Sequence, residues 1–334
     1  MSHPSSTNAL GFDQFGDPSA VITLRDIPVP VAGPDEITIE MILCPINPSD
    51  INYIEGKYGL KPVLPAIAGL EGVGRICVAG ENARKHYQPG QFVRLHAGVG
   101  GWRRFLTVRP DQIEIFPGGL SPEQAAVFSV NPLTAWCLLT FFRKLDPGQW
   151  VIQNAATSAV GKYVIQIAKH LGLHTVNLVR NLEVADSLKA LGADVVVEDQ
   201  DGSDEQITAL TGKATIKLGL NAVGGDSALR VCSALGNSAA MVTYGAMSKQ
   251  SLKVPNGFLI FKNLELRGFW LTQWKKLTPR DQQTAVEEKI AGLFKSGVLY
   301  TFIESIYPPE EYKKALSQAQ TSGRKGKILF RFSE

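Results

Sequence analysis

Residues 150–199 read WVIQNAATSAVGKYVIQIAKHLGLHTVNLVRNLEVADSLKALGADVVVED, and this stretch decides the fold class. Its segments alternate in type: strands are predicted at 150–156, 175–180 and 193–199, and helices at 160–172 and 183–192. In the first helix, apolar residues recur at spacings of three and four from Val160 to Leu171, which places them on one face, and Gly172 ends the helix. Such alternation is typical of a parallel sheet covered by helices. The sequence therefore predicts an α/β fold with a doubly wound parallel sheet.

The sequence on either side of this stretch predicts a second domain. Residues 22–117 contain short β-type runs separated by Gly and Pro, which is typical of a β-rich, turn-dense domain. After Ser121 and Pro122, a helix start signal, the pattern becomes helical. Further strands are predicted at 217–223, 239–245 and 264–270, a helix at 279–297, and a last strand at 327–332 that returns to the first domain. We therefore divide the chain into a β-rich domain, 1–134 with 271–334, and a cofactor domain, 135–270.

Composition limits the classes of function. The 334 residues are 44% hydrophobic and 19% charged, with a net charge of +3, which excludes wholesale disorder and gives no reason to expect a nucleic-acid or membrane partner. No apolar run is long enough to span a bilayer. The opening, MSHPSSTNALGF, has no leader pattern, so we expect a cytoplasmic location, or a mitochondrial one only if a transit peptide was removed. The four cysteines are scattered singly, which fits neither a disulfide framework nor a metal knuckle.

The junction between the first strand and helix of the alternating region is a candidate phosphate site. Set against the G-x-G-x-x-G pattern, it carries Ala156, Ser158 and Gly161, small residues that still allow a close backbone approach. The pattern alone is equally consistent with a plain strand-to-helix turn. Arg180 stands at the end of the second strand, where an arginine accepts the 2′-phosphate of NADP and an acidic residue would select NAD. This favours NADPH over NADH.

Six segments in order along the chain carry a family resemblance. They are NPSDINYIEGKYG (47–59), AGLEGVG (68–74), VNPLTAW (130–136), NAATSAVGKYVIQIAK (154–169), TYGAMSKQ (243–250) and LRGFWLTQWKK (266–276). Together they resemble the medium-chain dehydrogenase/reductase superfamily, and within it the mitochondrial-type trans-2-enoyl-thioester reductases. The resemblance implies a Rossmann cofactor domain and a GroES-like catalytic domain.

The resemblance also implies a zinc-independent enzyme. Zinc alcohol dehydrogenases of this superfamily place a Cys and a His where this chain has Asn47 and Leu70, and their four-cysteine lobe has no counterpart here. Neither an amide nor a leucine side chain supplies the thiolate or imidazole ligand that a zinc site requires. We therefore expect no metal.

The activity implied by the resemblance is the NADPH-dependent reduction of trans-2-enoyl thioesters in fatty acid and lipid metabolism. Hydride addition to the β-carbon leaves an enolate, which must be stabilised and then protonated at the α-carbon. A phenol is a suitable donor because its pKa near about 10 keeps it protonated at neutral pH. The family's catalytic tyrosine falls on Tyr58, whereas position alone would favour a loop-capping role. Tyr53 is expected to pack or to line the site.

The remaining site residues are also implied by the resemblance. The cofactor contacts are Asn131, Thr157, Ser158, Ala159, Val160, Arg180, Tyr244, Gly245, Ala246, Met247, Phe269, Trp270, Leu271, Thr272 and Lys327. Composition alone would instead make Phe269 and Trp270 core residues and Lys327 a solvated charge. The reductases often follow the arginine with Asp and a second Arg, whereas Asn181 follows it here, which leaves the strictness of the NADPH preference open. The role of Asn47 is undecided.

The implied partners are an acyl thioester of coenzyme A or acyl carrier protein and a second copy of the chain. The phosphate groups that coenzyme A or acyl carrier protein carries would bind basic side chains. The candidates are Lys275–Lys276, Arg103–Arg104 and Arg324–Lys325. A homodimer would pair through the strand around 264–269. Two other functions stay open: a zinc-free NADPH:quinone oxidoreductase, which needs no positioned acid, and a non-catalytic NADPH-binding protein.

Overall fold

The chain forms two units in the computed structural model, which describes residues 5–116 and 118–333. One unit runs to Val130 and resumes at Thr301, and the other is Asn131–Tyr300. This division differs from the boundaries drawn from the sequence, since 131–134 and 271–300 fall in the second unit. The reason is packing: the ring of Phe294 lies edge-on to that of Tyr163, with centroids 5.9 Å apart.

The strands of the described residues are β1 Ser6–Phe12, β2 Thr23–Pro28, β3 Ile37–Pro45, β4 Ala66–Ile67, β5 Val73–Ala79, β6 Phe92–Leu95, β7 Phe105–Val108, β8 Ile113–Ile115, β9 Trp150–Gln153, β10 His174–Val179, β11 Val195–Glu198, β12 Ile216–Asn221, β13 Leu235–Thr243, β14 Glu265–Gly268, β15 Ile303–Tyr307 and β16 Lys327–Arg331. The helices are α1 Pro18–Val21, α2 Pro48–Ile54, α3 Pro122–Ala126, α4 Asn131–Thr140, α5 Ala159–His170, α6 Ala185–Leu191, α7 Ser203–Leu210, α8 Gly225–Ala234, α9 Asn256–Phe261, α10 Leu271–Leu277, α11 Arg280–Lys295 and α12 Tyr312–Gln320. Short 3₁₀ turns lie at Ala83–Lys85, Pro110–Gln112, Leu182–Val184 and Pro309–Glu311.

The second unit is built on a six-stranded parallel sheet in the order β11-β10-β9-β12-β13-β14. Buried aliphatic residues of its strands and of α8 form the main core, with Ile152 and Val231 fully buried. This confirms the α/β fold with a doubly wound parallel sheet. The strand order reverses direction between β9 and β12, and ligands of such sheets bind at this switch point, outside the carboxyl ends of the strands.

The first unit is β-rich, as predicted. A sheet runs in the order β15-β16-β3-β5-β6-β8, with β7 also paired to β3, and a smaller sheet has the order β2-β1-β4. The terminal strand β16 pairs antiparallel with β3, so Phe330 lies opposite Cys44, which confirms that the chain end returns to this unit. The ring of Trp102 packs edge-on against Phe330 at 5.0 Å in the core.

Some elements were not predicted. β1, β15 and α12 lie in stretches with weak periodicity or near the chain ends, where the sequence pattern indicated no element. No helix among the described residues combines the length and the apolar character that a membrane span requires.

Candidate active site

The carboxyl edge of the parallel sheet brings together four of the segments predicted to bind the cofactor. The turn before α5 follows β9, and Arg180 directly follows β10. The segment from Tyr244 follows β13, and the segment from Phe269 follows β14. The β9 turn lies beside the switch point of the strand order. These segments therefore lie where a doubly wound sheet binds a dinucleotide.

The turn between β9 and α5 has the geometry of a phosphate-binding helix start. Ser158 is the N-cap of α5, and its hydroxyl accepts a hydrogen bond from the Gly161 N–H at 3.1 Å. Ala155 has a positive φ of 48°, which turns the chain sharply out of the strand. A β-carbon on Gly161 would lie 2.7 Å from the carbonyl oxygens of Ala155 and Ala156, so only glycine fits there. The helix start can therefore receive an anionic group.

Tyr244 supplies a second sign of a ligand at this edge. Its hydroxyl is buried, and apart from the Ser158 side chain beside it no polar group of the described residues satisfies it. Burial raises the pKa of this phenol, and Ser158 beside it has a smaller opposite effect. A β-carbon on the next residue, Gly245, would lie 2.9 Å from the Ala222 carbonyl oxygen. A buried hydroxyl that is poorly satisfied costs free energy, and a ligand oxygen here would satisfy it. These residues therefore fit a dinucleotide.

The segment from Tyr244 to Met247 is tied to the neighbouring strand. The Tyr244 N–H donates to the Asn221 carbonyl at 3.0 Å, and the Met247 N–H donates to the Ala222 carbonyl at 3.0 Å. The buried Asn221 amide oxygen accepts from the Asn154 side chain at 2.8 Å. Sequence reasoning missed this asparagine pair, although each lies within a predicted strand, at 150–156 and 217–223. Ala246 and Met247 are exposed.

Phe269 continues the line of β14 beside β13. Its N–H donates to the Thr243 carbonyl at 2.9 Å, and its ring lies edge-on to Phe142, with centroids 5.9 Å apart. Trp270 is the N-cap of α10, and the segment through Thr272 is half-buried. Phe269 is therefore packed against Phe142 while remaining partly accessible.

The end of β10 departs from the reductase pattern in structure as well. Arg180 is exposed. The Asn181 side chain accepts from the Glu183 N–H at 2.9 Å and donates to the Glu183 carboxylate at 2.9 Å. Asn181 therefore caps the following turn, in the place where many reductases carry a second charged residue.

In the first unit, Tyr58 and Tyr53 occupy different environments. Tyr53 is 3% exposed and packs edge-on against Phe12, with centroids 6.0 Å apart, which matches its expected packing role. Tyr58 is half-buried at the end of the turn that follows α2, and its N–H donates to the Asn52 carbonyl at 3.1 Å. The turn is set by Gly56, whose φ is +71°. Tyr58 is the more accessible of the two phenols.

A buried polar chain lies at the start of α2. The Lys327 ammonium donates to the Asn47 amide oxygen and, at 3.2 Å, to the Ile46 carbonyl. The Asn47 amide nitrogen donates to Glu71 at 2.8 Å, and the other Glu71 oxygen accepts from the Val130 N–H at 2.9 Å. Lys327 is 6% exposed and Glu71 is fully buried. The alternative interpretation of Lys327 as a solvated charge is therefore wrong.

Asp50 holds the backbone around this chain. One carboxylate oxygen accepts from the Asn47 N–H at 2.7 Å and the other from the Leu70 N–H at 2.8 Å. Burial raises the pKa of Asp50 to about 6 and that of Glu71 to about 7. The sequence signal was present, since N-P-S-D has the spacing of a capping box, but neither Asp50 nor Glu71 was predicted as a site residue.

The residues at the superfamily's zinc position do not fit a zinc ion. Both polar atoms of the Asn47 side chain are already bonded, to Lys327 and to Glu71. Leu70 has no donor atom, and a second cation beside the Lys327 ammonium would be repelled. Among residues 5–116 and 118–333, no group of three or more His, Cys, Asp or Glu side chains could hold a metal.

Other predicted residues are less available than the sequence indicated. Asn131 begins α4 and is 7% exposed. Of the basic pairs, Lys275 lies 3.5 Å from the buried Glu287 carboxylate, and Arg104 donates twice to Glu40, at 3.0 and 2.9 Å. Arg324 donates to the Thr321 carbonyl at 3.1 Å. At least one cation of each pair is thus engaged within the protein.

Two models of known protein families match this chain, and each matches a different part of it. A family model described as an alcohol dehydrogenase GroES-like domain matches residues 33–117, and one described as a zinc-binding dehydrogenase matches 159–291. The mitochondrial enoyl-[acyl-carrier-protein] reductase of Rattus norvegicus is 39% identical over 322 residues, which cover 95% of this chain and 86% of the relative.

Solved structures of related proteins are similar to this chain over nearly its whole length. The Etr1p complex with NADP and crotonyl-CoA is 31% identical, with a TM-score of 0.87 over 98% of this chain and 99% of that chain. A Bacillus thuringiensis protein described as an NADPH:quinone reductase has a TM-score of 0.89, covering 98% of this chain and 99% of that chain, but it is 24% identical and so shows the fold alone.

The relatives correct one prediction from the sequence. The rat protein and an Arabidopsis thaliana relative, 36% identical over 99% of this chain and 89% of that protein, are both named mitochondrial, so the predicted cytoplasmic location is wrong. Targeting signals are recognised separately from the fold, so the composition of these first residues could not decide the compartment. Residues 1–4 also lie outside the described residues. The identity over nearly the whole chain shows that it belongs to the medium-chain dehydrogenase/reductase superfamily and, within it, to the family of the mitochondrial enoyl-[acyl-carrier-protein] reductases.

Proposed function

We propose that this chain catalyses the NADPH-dependent reduction of trans-2-enoyl thioesters to saturated acyl thioesters. The observation that carries the proposal lies at the carboxyl edge of the parallel sheet in the second unit. There the capped start of α5 and the buried Tyr244 hydroxyl could donate hydrogen bonds to the oxygens of a dinucleotide. Membership of the enoyl-[acyl-carrier-protein] reductase family supports the choice of substrate. The Etr1p complex with NADP and crotonyl-CoA supports the choice of cofactor.

The chemistry divides between cofactor and protein. NADPH, when bound, would supply a hydride to the β-carbon of the enoyl thioester. The electron pair of the C=C bond then resides on the thioester enolate, and Tyr58 donates its phenolic proton to the α-carbon. The resulting phenolate regains its proton from water. Tyr58 suits this role because it is only half-buried and its backbone is held by Asn52.

The cofactor contacts remain those named from the sequence. Thr157, Ser158, Ala159 and Val160 would bind the pyrophosphate at the start of α5, where N–H groups and the helix dipole favour negative charge. Arg180 would bind the 2′-phosphate. Further contacts would come from Asn131, Tyr244, Gly245, Ala246, Met247, Phe269, Trp270, Leu271, Thr272 and Lys327.

The test is a substrate panel. NADPH oxidation is expected to be fastest with enoyl thioesters of coenzyme A or acyl carrier protein, measured over several chain lengths, and slower with quinones and aldehydes. Replacing NADPH with NADH is expected to lower kcat/KM because Arg180 loses its phosphate partner. Faster turnover of quinones would instead establish the quinone oxidoreductase alternative. Stoichiometric NADPH binding without reduction of any acceptor would establish the non-catalytic one.

The proposed assembly is a homodimer through the β14 edge. β14 ends the sheet order, and the preceding α9 exposes Ile260 and Phe261, with exposed fractions of 69% and 83%. An unpaired edge beside exposed apolar side chains is a typical protein interface. Sedimentation is expected to show a dimer whose dissociation constant is higher after Phe261→Glu than in the wild type. A wild-type monomer at micromolar concentration would contradict this.

A further inference from the structure

Lys327 is a buried ammonium that does not use all its donors. An ammonium has three N–H groups. Two are accounted for by the Ile46 carbonyl and the Asn47 amide oxygen, and in the described part of the chain the third has no partner. Leaving a charged donor unsatisfied when it is 6% exposed is costly. A further acceptor oxygen would satisfy this N–H.

Asn47 stands between this ammonium and Glu71. Its oxygen accepts from Lys327 while its nitrogen donates to Glu71, so the two bonds fix the orientation of the amide. The other Glu71 oxygen is taken by the Val130 N–H. Within the described residues, no ion pair joins Lys327 directly to Glu71 or to Asp50. The amide thus keeps the cation and the anion apart in a buried setting.

We propose that Asn47 is a positioning residue that prevents Lys327 from pairing with Glu71 and aims its third N–H at an acceptor oxygen of the bound reactants. This inference rests on the proposed function, because the acceptor would be an oxygen of the thioester or of the cofactor. An ammonium that is not neutralised by a carboxylate stabilises the negative charge that develops on the thioester oxygen. Asn47 would act only through Lys327.

The charged groups around Lys327 determine how it titrates. Burial lowers the pKa of Lys327 to about 8, Glu71 and Asp50 act in the opposite direction, and Arg324 lowers it further. As pH rises through about 8, the ammonium loses its proton and with it the donor and the charge. Activity that depends on Lys327 should therefore decline above about pH 8, on the basic limb of the profile of kcat/KM against pH.

The experiment compares kcat/KM against pH for wild type, Asn47→Asp and Asn47→Leu, with crotonyl-CoA and NADPH. A carboxylate at position 47 pairs with the ammonium and raises its pKa, so the basic limb should move upward by about one pH unit or more. Leucine removes the amide that separates the ammonium from Glu71, so the two can pair directly and the limb should also move upward. Because the ammonium is then neutralised, kcat/KM at pH 7 should fall at least about tenfold. Asn82→Asp, an exposed change of the same kind in the same unit, should leave the limb in place.

A second measurement separates this inference from the proposed function. The titration of the Lys327 side chain, followed by NMR and assigned with Lys327→Met, should show an upward shift in both variants whatever the substrate. If both variants keep the wild-type titration and the wild-type limb, the positioning role is wrong even when enoyl thioesters are reduced. If the titrations shift but no enoyl thioester is turned over, the proposed function fails instead. Should Asn47→Leu not fold, the near-isosteric Asn47→Asp decides alone. KM for crotonyl-CoA and the Kd for NADPH identify which reactant supplies the acceptor.

Discussion

Replacing Tyr58 with phenylalanine is expected to lower kcat for enoyl-thioester reduction by about 10² to 10⁴-fold, with an unchanged Kd for NADPH. The substitution removes only the phenolic O–H, while the ring that packs against the core of the first unit is kept. Without the donor, the α-carbon must take its proton from water, which is not positioned. Because the enolate forms after binding, the loss should appear in kcat rather than in KM.

Tyr53→Phe is the matched control, since it removes the same atom five residues away. Tyr53 is nearly fully buried against Phe12, so its variant should keep kcat within about threefold of wild type. Equal losses in both variants would indicate a general disturbance of α2 rather than a proton donor. A Tyr58→Phe enzyme that retains more than a tenth of kcat would exclude the proposed role. Quinone reduction, which needs no positioned acid, should survive the change.

The fold was predictable where the apolar residues of the sequence recur with a clear helix or strand periodicity. Residues 150–199 alternate between runs typical of strands and a helix whose apolar face repeats from Val160 to Leu171, and the parallel sheet follows from that pattern. β1 was not predicted, because STNALGF has little alternation and gains its partners only by pairing with β2 and β4. Its identity as a strand depends on tertiary contacts that no local pattern encodes.

The candidate site was predictable by position but not by environment. Arg180 ends one predicted strand and Ser158 follows another, so the sequence placed both at the carboxyl edge without knowledge of the fold. Lys327 lies in a cluster of basic residues, and nothing in that cluster indicates that its side chain alone is buried. Its acceptor, Asn47, is 280 residues away along the chain. Burial and long-range pairing of this kind arise only when β16 returns to β3.

Gly161→Ala is expected to weaken NADPH binding by at least about tenfold and to lower the free energy of unfolding by about 1–3 kcal/mol. The added methyl group would lie 2.7 Å from two backbone oxygens, those of Ala155 and Ala156, and neither can move without displacing the turn. Moving α5 outward would also weaken the bond from the Gln153 side chain to the Gly161 carbonyl, now 3.0 Å. The N–H groups that bind the pyrophosphate would then lose their positions. Fluorescence titration with NADPH and thermal unfolding measure the two effects.

Gly292→Ala is the control, because Gly292 also lies within a helix of the second unit, α11, but a β-carbon there would meet nothing within 4 Å. That variant should bind NADPH normally and be more stable by about 0.4–1 kcal/mol, since alanine restricts the unfolded chain and favours helix. If Gly161→Ala does not fold well enough to titrate, Ser158→Ala removes the N-cap without a clash and should still weaken NADPH binding, though less. Normal NADPH affinity in both the Gly161 and Ser158 variants would mean that the start of α5 does not hold the cofactor.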